Sequence, residues 1–247
     1  MRPHKFPRGI RKLAFLWSVM LFLSTAAFGF CLQPHPSIAC DFLNSSAVFT
    51  GRVISVHMVE KDGSTDGYYY RLSVLQMFRG SREKIVEVYT GNDSGGYYLD
   101  LGKEYLIFAS RDPNNSQLTI SNCDNNAPLA DASKLISEIQ KVRISQDGII
   151  EGLVVLHYVP NKGVPGIMVT IKGKDKNGKN KRYRLTTDRQ GSFRARVPQG
   201  MYSIDIESTP SRRIVTYDLN YGGNPDIFSV HAGRCVGFEF IADPSYN

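Results

Sequence analysis

The sequence lacks the spacings that mark common catalytic and metal-binding motifs. It has no Cys-x-x-Cys pair, no His-x-x-x-His pair and no Gly-x-Ser-x-Gly segment. Closely spaced cysteines or histidines are typical of zinc sites, and the serine motif holds the nucleophile of many hydrolases. We therefore predict no catalytic residue, no metal site and no cofactor, and we expect that the protein is not an enzyme.

The sequence also has little excess charge once an apparent export leader is set aside. Residues 1–13 carry five cations and no acid, residues 14–27 are almost wholly apolar, and Ala27-Phe28-Gly29 supplies small residues for a signal peptidase. This pattern predicts a cleaved signal peptide over residues 1–29. An uncleaved anchor is the alternative, although the run is shorter than the roughly 20 residues of a spanning helix. The leader holds five of the seven excess positive charges, so residues 30–247 have net charge +2.

One segment nevertheless concentrates cations around Asp175 and the pair Asn177-Gly178. Its members are Lys172, Lys174, Lys176, Lys179, Lys181, Arg182 and Arg184. Asn-Gly is typical of a β-hairpin turn, so a solvated hairpin is the simpler interpretation. A patch for an acidic glycan, a lipid headgroup or nucleic acid is the alternative. Because an alkaline pI alone says little about polyanion binding, we predict no nucleic-acid partner.

Cysteine is scarce, and all four cysteines follow the leader. They are Cys31, Cys40, Cys123 and Cys235. An even number in an oxidising compartment favours disulfides over metal or thiol chemistry. Four cysteines allow three pairings, and the residues alone do not choose among them.

Segments rich in β-branched and aromatic residues, one of which (residues 85–90) alternates between apolar and polar residues, predict strands in the first part of the chain. These strands span residues 46–59, 68–78, 85–90, 104–110 and 117–122, with turn residues between them. The next segment instead places Leu135, Ile136, Ile139 and Val142 on one helical stripe, with Asp131 or Ser133 as N-cap. Five strands followed by a helix favour a small closed barrel packed against that helix.

A polar segment at residues 143–148 ends in a turn signal and predicts a linker. About seven short strands are predicted after it, which fits a β-sandwich. Residues 183–187 and 192–197 are predicted to pair as a hairpin around the turn of residues 188–191. We therefore predict a mainly β protein with domains at residues 30–142 and 149–243.

An ordered series of motifs runs through the first predicted domain. It comprises Cys31-Leu-Gln-Pro-His-Pro, Ala47-Val-Phe-Thr-Gly-Arg-Val-Ile-Ser-Val, Met77-Phe-Arg-Gly, Val88-Tyr-Thr-Gly, Gly102-Lys-Glu-Tyr-Leu-Ile-Phe and Leu118-Thr-Ile-Ser-Asn-Cys-Asp. In this order the motifs resemble the N-terminal domain of tissue inhibitors of metalloproteinases and, more broadly, the netrin-type module. The resemblance implies an OB-like five-stranded barrel with flanking helices over about residues 31–141.

Two departures from that family bear on function. In the inhibitors the mature chain starts at a cysteine whose amine and carbonyl chelate the zinc of the target protease. Here Cys31 matches the second cysteine of the family, and the first would fall at Gly29. The loop that normally holds its disulfide partner, here Ser94-Gly-Gly-Tyr-Tyr98, also lacks cysteine. The comparison therefore implies that the zinc-chelating device is lost.

The same resemblance implies a Cys31–Cys123 bridge. In the family, the equivalent of Cys40 pairs with a cysteine just after the last helix, and none occurs there in this chain. Cys235 is the remaining candidate. A Cys40–Cys235 bridge that ties the two domains together is therefore a hypothesis.

The second predicted domain carries another series of turn and core residues. Its members are Gly152, Val154, Val164, Pro165, Gly166, Val169, Thr186, Thr187, Asp188, Gly191, Phe193, Pro198, Gly200 and Tyr202. The series resembles the carboxypeptidase-regulatory-like, or prealbumin-like, family. Such positions specify a fold and imply no chemistry. Modules of this family are common in exported bacterial proteins, so the resemblance also implies a bacterial source.

We therefore predict a secreted or periplasmic, non-enzymatic binding or scaffold protein with a protein partner. It would have no membrane span after leader removal. One alternative is an inhibitor of an extracellular or periplasmic protease that works without N-terminal zinc chelation. The other is a carbohydrate-binding surface protein, for which the run Tyr68-Tyr69-Tyr70 is a candidate stacking platform. The candidate partner-contact residues are Cys31, Leu32, Gln33, Pro34, Ser94, Tyr97 and Tyr98.

Overall fold

A computed structural model describes residues 36–156, 159–207, 212–216 and 224–244. The predicted leader and the candidate contact residues Cys31, Leu32, Gln33 and Pro34 lie outside the described residues. Strands dominate the described residues and helices are few, so the predicted mainly β class is confirmed.

The N-terminal unit, residues 36–142, is one sheet with two short helices. Its elements are α1 (Ile38–Asn44), β1 (Ala47–Lys61), β2 (Ser64–Arg79), β3 (Ile85–Gly91), β4 (Glu104–Arg111), β5 (Leu118–Thr119), β6 (Ala127–Pro128), a 3-10 turn (Leu129–Asp131) and α2 (Ser133–Lys141). The predicted strands are present with similar bounds, except that the fifth is reduced to two residues. Helix α1 and strand β6 were not predicted.

Hydrogen bonding in this sheet runs in the order β1-β2-β3-β5-β4-β6, and β4 also pairs with β1. The β1–β2 and β1–β4 ladders are long. The β3–β5 link, by contrast, is the single pair Tyr89 opposite Thr119. The sheet is therefore paired continuously around β1, whereas β3 and β5 are joined by one pair of residues.

The inner faces of these strands form the core of the N-terminal unit. Phe49, Leu72, Val88 and Ile107 are fully buried there, at alternate positions along their strands. Side chains two apart on a strand share a face, so these residues point into one core, whereas the intervening Val48, Leu106 and Phe108 belong to the cluster on the other face, where the helices pack.

Helix α2 packs the predicted apolar stripe against the protein, with Ile139 buried and the other three members half-buried, but it begins differently from the prediction. Neither Asp131 nor Ser133 is the N-cap; Ala132 holds that position without a side-chain hydrogen bond. The preceding 3-10 turn runs directly into the helix, and Ala132 already has helical angles of φ −86° and ψ 0°. A capping side chain requires an extended N-cap residue, so the continuous entry leaves no place for one.

The C-terminal unit, residues 147–244, is a sandwich of two sheets. Its strands are β7 (Asp147–Leu156), β8 (Val159–Gly163), β9 (Met168–Asp175), β10 (Asn180–Thr186), β11 (Ser192–Pro198), β12 (Gly200–Ile206), β13 (Arg212–Thr216), β14 (Phe228–Val230) and β15 (Cys235–Pro244). One sheet has the order β10-β9-β12-β14, and the other has the order β11-β7-β15-β13 with β8 paired to β7. The described residues thus hold nine strands rather than the seven predicted.

The prediction that residues 183–187 and 192–197 pair as a hairpin is wrong. Strands β10 and β11 lie in different sheets, and the turn between them crosses from one sheet to the other. The Asp188 carboxylate accepts hydrogen bonds from the backbone N–H groups of Gln190 and Ser192, both at 2.9 Å, and Gly191 has φ +78°. Such a turn is locally indistinguishable from a hairpin turn, because only the partner strands decide which sheet follows.

The two sheets share an apolar core. Ile150, Val169, Val197 and Phe240 are buried between them, together with Tyr202. The opposite face of the β11-β7-β15 sheet carries Glu151, Arg194 and other polar residues, and this face meets the N-terminal unit.

Candidate functional site

A disulfide joins the two units. Cys40 in α1 and Cys235 at the start of β15 are bonded, with their Cα atoms 5.1 Å apart across 195 residues of sequence. This is the pairing that the sequence left as a hypothesis. None of the cysteines within the described residues is free. The predicted bridge of Cys123 to Cys31 involves a residue outside that part of the chain and stays a prediction.

Hydrogen bonds surround this disulfide on both sides of the junction. The Asn44 side-chain amide donates to the carbonyl oxygen of Cys235 at 2.9 Å and accepts from its N–H at 3.0 Å. The Arg234 guanidinium donates to the carbonyl oxygens of Leu43 and Asn44 at 3.2 and 3.0 Å. The Asn44 side chain therefore pairs with the backbone of Cys235 through two hydrogen bonds, and these bonds hold the C-terminal end of α1 against the start of β15.

The N-terminal end of α1 makes a second polar contact with the sandwich. The Ser37 hydroxyl accepts the N–H of Cys40 at 3.2 Å, as the helix N-cap. It also donates to the Glu151 carboxylate at 2.8 Å and accepts from the Arg194 guanidinium at 2.7 Å. Glu151 and Arg194 form an ion pair at 2.8 Å. One hydroxyl thus caps a helix and fixes it to two strands of the other unit.

Apolar side chains fill the junction beneath these polar groups. The cluster combines residues of α1, α2, β4 and the sandwich: Cys40, Phe42, Leu43, Val48, Leu106, Phe108, Ala132, Ile139, Ile149 and Cys235. Burial of such side chains is the dominant favourable contribution to association of protein units. The junction is therefore a small core of its own.

A cleft of about 620 Å³ opens beside the junction. Its lining includes the acidic residues Asp41, Asp124, Glu151, Asp188 and Glu239, and among the described residues one cation, Arg194, which is paired with Glu151. The buried Oε2 atom of Glu239 has no hydrogen-bond partner among the described residues, and burial raises the pKa of this carboxyl. The cleft therefore has an acidic lining.

The Asp124 carboxyl group has a strongly raised pKa. Burial, and secondarily repulsion from the Asp41 carboxylate, raise its pKa to about 7, although the Ser121 N–H donates a stabilising hydrogen bond at 2.9 Å. Asp41 itself accepts hydrogen bonds from the backbone and side-chain nitrogens of Asn125 at 2.7 and 2.8 Å. The hydrogen bonds between Asn125 and Asp41 hold the loop that follows Cys123 against α1.

One group of potential metal ligands occurs among the described residues, at Cys40, Glu151 and Cys235. Both sulfur atoms are consumed by the disulfide, so neither is a thiolate that a metal ion could bind. Glu151 is already paired with Arg194. The group is part of the junction rather than a metal centre.

The candidate contact loop near Ser94 is only partly available to a partner. Tyr97 is half-buried, burial raises its pKa to about 12, and its N–H donates to the Thr90 hydroxyl at 3.0 Å. Tyr98 is 50% exposed and packs edge-on against Tyr68, with ring centroids 5.7 Å apart. The Ser94 carbonyl accepts from the Asn122 side chain at 2.8 Å. Ser94 and Tyr98 are therefore the exposed candidate contact residues of this loop, and Tyr97 is half-buried.

The tyrosine run of β2 alternates between faces. Tyr68 and Tyr70 share one face, with ring centroids 6.3 Å apart. Tyr69 lies on the other face against Tyr89, at 5.1 Å. Tyr70 is buried. The three rings therefore do not form one continuous stacking platform.

The basic segment forms the predicted hairpin. Strands β9 and β10 pair antiparallel across the Asn177-Gly178 turn, in which Gly178 has φ +77°. The Asp175 carboxylate accepts from the N–H groups of Asn177 and Lys179 at 2.9 and 3.0 Å. This hairpin forms one edge of the β10-β9-β12-β14 sheet of the C-terminal unit.

Comparison with known proteins identifies no family. No family model and no curated protein matches the chain. Among solved structures, the chain is similar to the Bacillus anthracis TIE protein, with 14% identity over 81% of this chain and 31% of that one and a TM-score of 0.29. It is also similar to GBS52, the minor pilin of Streptococcus agalactiae, with 14% identity, coverage of 82% and 84%, and a TM-score of 0.29.

A third similar structure is BcpA, the major pilin subunit of Bacillus cereus, with 14% identity, coverage of 83% and 61%, and a TM-score of 0.28. These scores are too low to establish a shared fold, and nothing about function follows from them. None of these comparisons supports the resemblance to metalloproteinase inhibitors. The β-sandwich rests on the strand pairings themselves. Within the described part of the chain, no helix is long and apolar enough to span a membrane.

Sequence reasoning missed most residues of the junction. Ser37 carried a usable signal, because a serine before a short apolar run is a typical N-cap. Asn44 and Glu151 carried none, since their partners lie 191 and 114 residues away in sequence.

Proposed function

We propose that the protein is an exported, non-enzymatic scaffold that holds an OB-like barrel and a β-sandwich in one fixed orientation. The observation that carries this proposal is the junction around Cys40 and Cys235. There a covalent bond, reciprocal hydrogen bonds and a shared apolar cluster act on the same helix. Interfaces between flexibly linked domains are usually more polar and permit relative motion.

The strand order of the N-terminal unit supports the OB-like part of this proposal. Pairing runs β1-β2-β3-β5-β4 and returns from β4 to β1. The OB fold is a five-stranded, partly open barrel. The short link at Tyr89 and Thr119 is the place where such a barrel would open.

The use of the polar groups at the junction supports a scaffold over an enzyme. Asp41 is engaged by Asn125 and Ser45, and Glu151 is engaged by Ser37 and Arg194. Carboxylates in such contacts hold structure together, whereas a general base must be within reach of a substrate proton.

Residual dipolar couplings of the backbone amides test the fixed orientation. In a weakly aligned sample, we expect residues 36–142 and 147–244 to report one common alignment tensor. Two tensors of different magnitude would show independent motion and would contradict the proposal.

A variant at the junction gives the matched comparison. Replacing Cys40 and Cys235 with Ser and Asn44 with Ala should separate the two tensors, because the covalent bond and the reciprocal hydrogen bonds are lost together. Asn180→Ala, at an exposed position of the hairpin, should leave a single tensor. If the junction variant keeps one tensor while both units remain folded, these contacts do not set the orientation.

A further inference from the structure

The basic hairpin presents its cations on one exposed face. Arg182 lies directly opposite Lys172, Asn180 lies opposite Lys174, and Arg184 lies opposite Thr170. Residues two apart on a strand point the same way. Lys172, Lys174, Arg182 and Arg184 therefore form a group on the solvent side, and all four are exposed. We name this group, together with Lys176 and Lys179 at the turn, the basic stripe.

Few carboxylates neutralise the basic stripe. Lys172 pairs with Asp205 at 2.6 Å, and Lys181, which is outside the stripe, pairs with Asp175 at 3.3 Å. Lys174 and Arg182 have no ion pair with any described residue, and the same holds for Arg184. Like charges directly opposite on neighbouring strands are destabilising. Asp205 already offsets part of the repulsion between Arg182 and Lys172, and an anionic ligand at Arg182 would offset the rest.

Charge is segregated between this hairpin and the rest of the protein. Residues 168–186 hold seven cations and the single carboxylate of Asp175, for a net charge of +6. Residues 30–247 together have net charge +2, so the remainder sums to −4. A concentrated field of this kind steers oppositely charged ligands to one surface.

The shape of the basic stripe fits one extended polymer chain. Its cations occupy two strands, which lie about 5 Å apart, and residues two apart on a strand are about 7 Å apart. The third strand of the sheet carries acids on the same face: Asp205 neighbours Thr170, and Glu207 follows at the end of β12. A membrane surface would meet both of these acids, whereas a single chain along the hairpin would pass only Asp205, which is already paired with Lys172.

The neutral neighbours of the cations favour a sugar over a nucleobase. Thr170, Asn180 and Ser203 stand beside the cations on this face and offer hydroxyl and amide groups, and the exposed Met201 lies opposite Lys174. Tyr183 points to the opposite side and packs against the sandwich core. Among the described residues of this face there is no aromatic ring on which a base could stack, as single-strand binding requires.

We propose that the basic stripe binds a linear acidic polysaccharide, whose carboxylate or sulfate groups meet the cations while its hydroxyl groups meet the neighbouring polar side chains. This site is independent of the fixed orientation proposed above, because it lies wholly within one hairpin. Polysaccharide binding can therefore fail while the two units keep one fixed orientation, and the units can move independently while the basic stripe still binds.

Fluorescence anisotropy with labelled heparin, hyaluronan and alginate tests the site. The variant carries Lys174→Thr, Arg182→Thr and Arg184→Thr, since threonine favours strands and the loss of opposed like charges should not destabilise the hairpin. We expect the purified protein to bind at least one of these polymers, with affinity that falls as salt rises. The variant should lose affinity about tenfold or more and show a shallower salt dependence.

A charge-matched control removes three exposed cations from the N-terminal unit through Lys61→Thr, Lys84→Thr and Lys103→Thr. This control should retain the affinity of the unmodified protein. An equal loss in both variants would overturn the site, because it would show attraction by net charge alone. Absence of binding to all three polymers would also overturn it.

Two further probes separate other anionic partners. Vesicles of phosphatidylcholine and phosphatidylglycerol in equal parts, and single-stranded oligothymidine, should bind more weakly than the best polysaccharide. Tighter binding to either one, lost in the hairpin variant, would assign the face to a membrane or to nucleic acid and overturn the proposal. Thermal unfolding of each variant verifies that the fold is intact.

Discussion

Cys40 and Cys235 are covalently bonded although 195 residues separate them in sequence. Each is buried, at 3% and 6% exposure, within the apolar cluster that joins the two units. Asn44 pairs with the backbone of Cys235 one helical turn beyond Cys40. The bond therefore closes almost the whole described chain into one loop at a point where packing and hydrogen bonding already bring the units together.

Removal of this disulfide should lower stability substantially. Because a cross-link mainly restricts the unfolded chain, and more so for longer loops, Cys40→Ser with Cys235→Ser should reduce the free energy of unfolding by about 3–5 kcal/mol. Urea denaturation monitored by circular dichroism measures the change. The unmodified protein in reducing buffer should lose at least as much, because the reductant would also break the predicted Cys31–Cys123 bridge. A loss below about 1 kcal/mol in both cases would show that the loop is already restricted in the unfolded state.

Asp124 should make stability depend on pH. Its pKa is about 7 in the folded protein against 3.8 for the ordinary carboxyl group, so the folded state holds a proton that the unfolded state releases. The contribution is fully present below about pH 4 and is lost as pH rises through about 7. Asp124→Asn removes the charge and should raise the free energy of unfolding at pH 8, on the order of 2 kcal/mol, relative to the unmodified protein.

Urea denaturation at pH 5 and pH 8 measures this effect. The difference between the two pH values should shrink in Asp124→Asn, because the amide does not titrate, while its carbonyl oxygen can still accept from the Ser121 N–H. Asp131→Asn, at an exposed carboxylate, should leave the difference unchanged. An undiminished pH dependence in Asp124→Asn would assign it to other groups.

The sequence predicted the strands well because alternation is a local signal. Val86 and Val88 reveal their inward face because they alternate with the exposed Ile85 and Glu87. The Asn177-Gly178 hairpin was equally readable, since its turn chemistry is local. The turn at Asp188 and Gly191 led to a wrong prediction, because a turn sequence does not determine whether the chain stays in one sheet or crosses to the other.

The junction could not be predicted in the same way. Ser37, Glu151 and Arg194 are residue types that are common on protein surfaces. They join the two units only because the fold brings strands β7 and β11 next to the start of α1. The cysteines were the exception, because a limited number of pairings exists for four of them. The acidic cleft, including Asp124 and Glu239, depends on burial that composition does not reveal.

Thr187 should stabilise the sandwich through one buried hydroxyl. The residue is 4% exposed, and its Oγ1 donates to the Val164 carbonyl oxygen at 2.7 Å and accepts from the Ile167 N–H at 3.0 Å. These bonds tie the end of β10 to the loop before β9. Thr187→Val keeps the shape but leaves two buried backbone groups without a partner, which should cost about 2–4 kcal/mol.

Thr187→Ser provides the matched control. It keeps the hydroxyl and removes one methyl group, so its cost should be about 1 kcal/mol. Chemical denaturation of the three proteins at one pH ranks them, and the expected order of stability is Thr, then Ser, then Val. If the valine variant is at least as stable as the serine variant, the methyl group contributes more than the two hydrogen bonds. The loop of residues 164–167 would then be held by the packing of the buried Val164 and Ile167 and by the backbone hydrogen bonds that join Gly166 and Ile167 to Thr187.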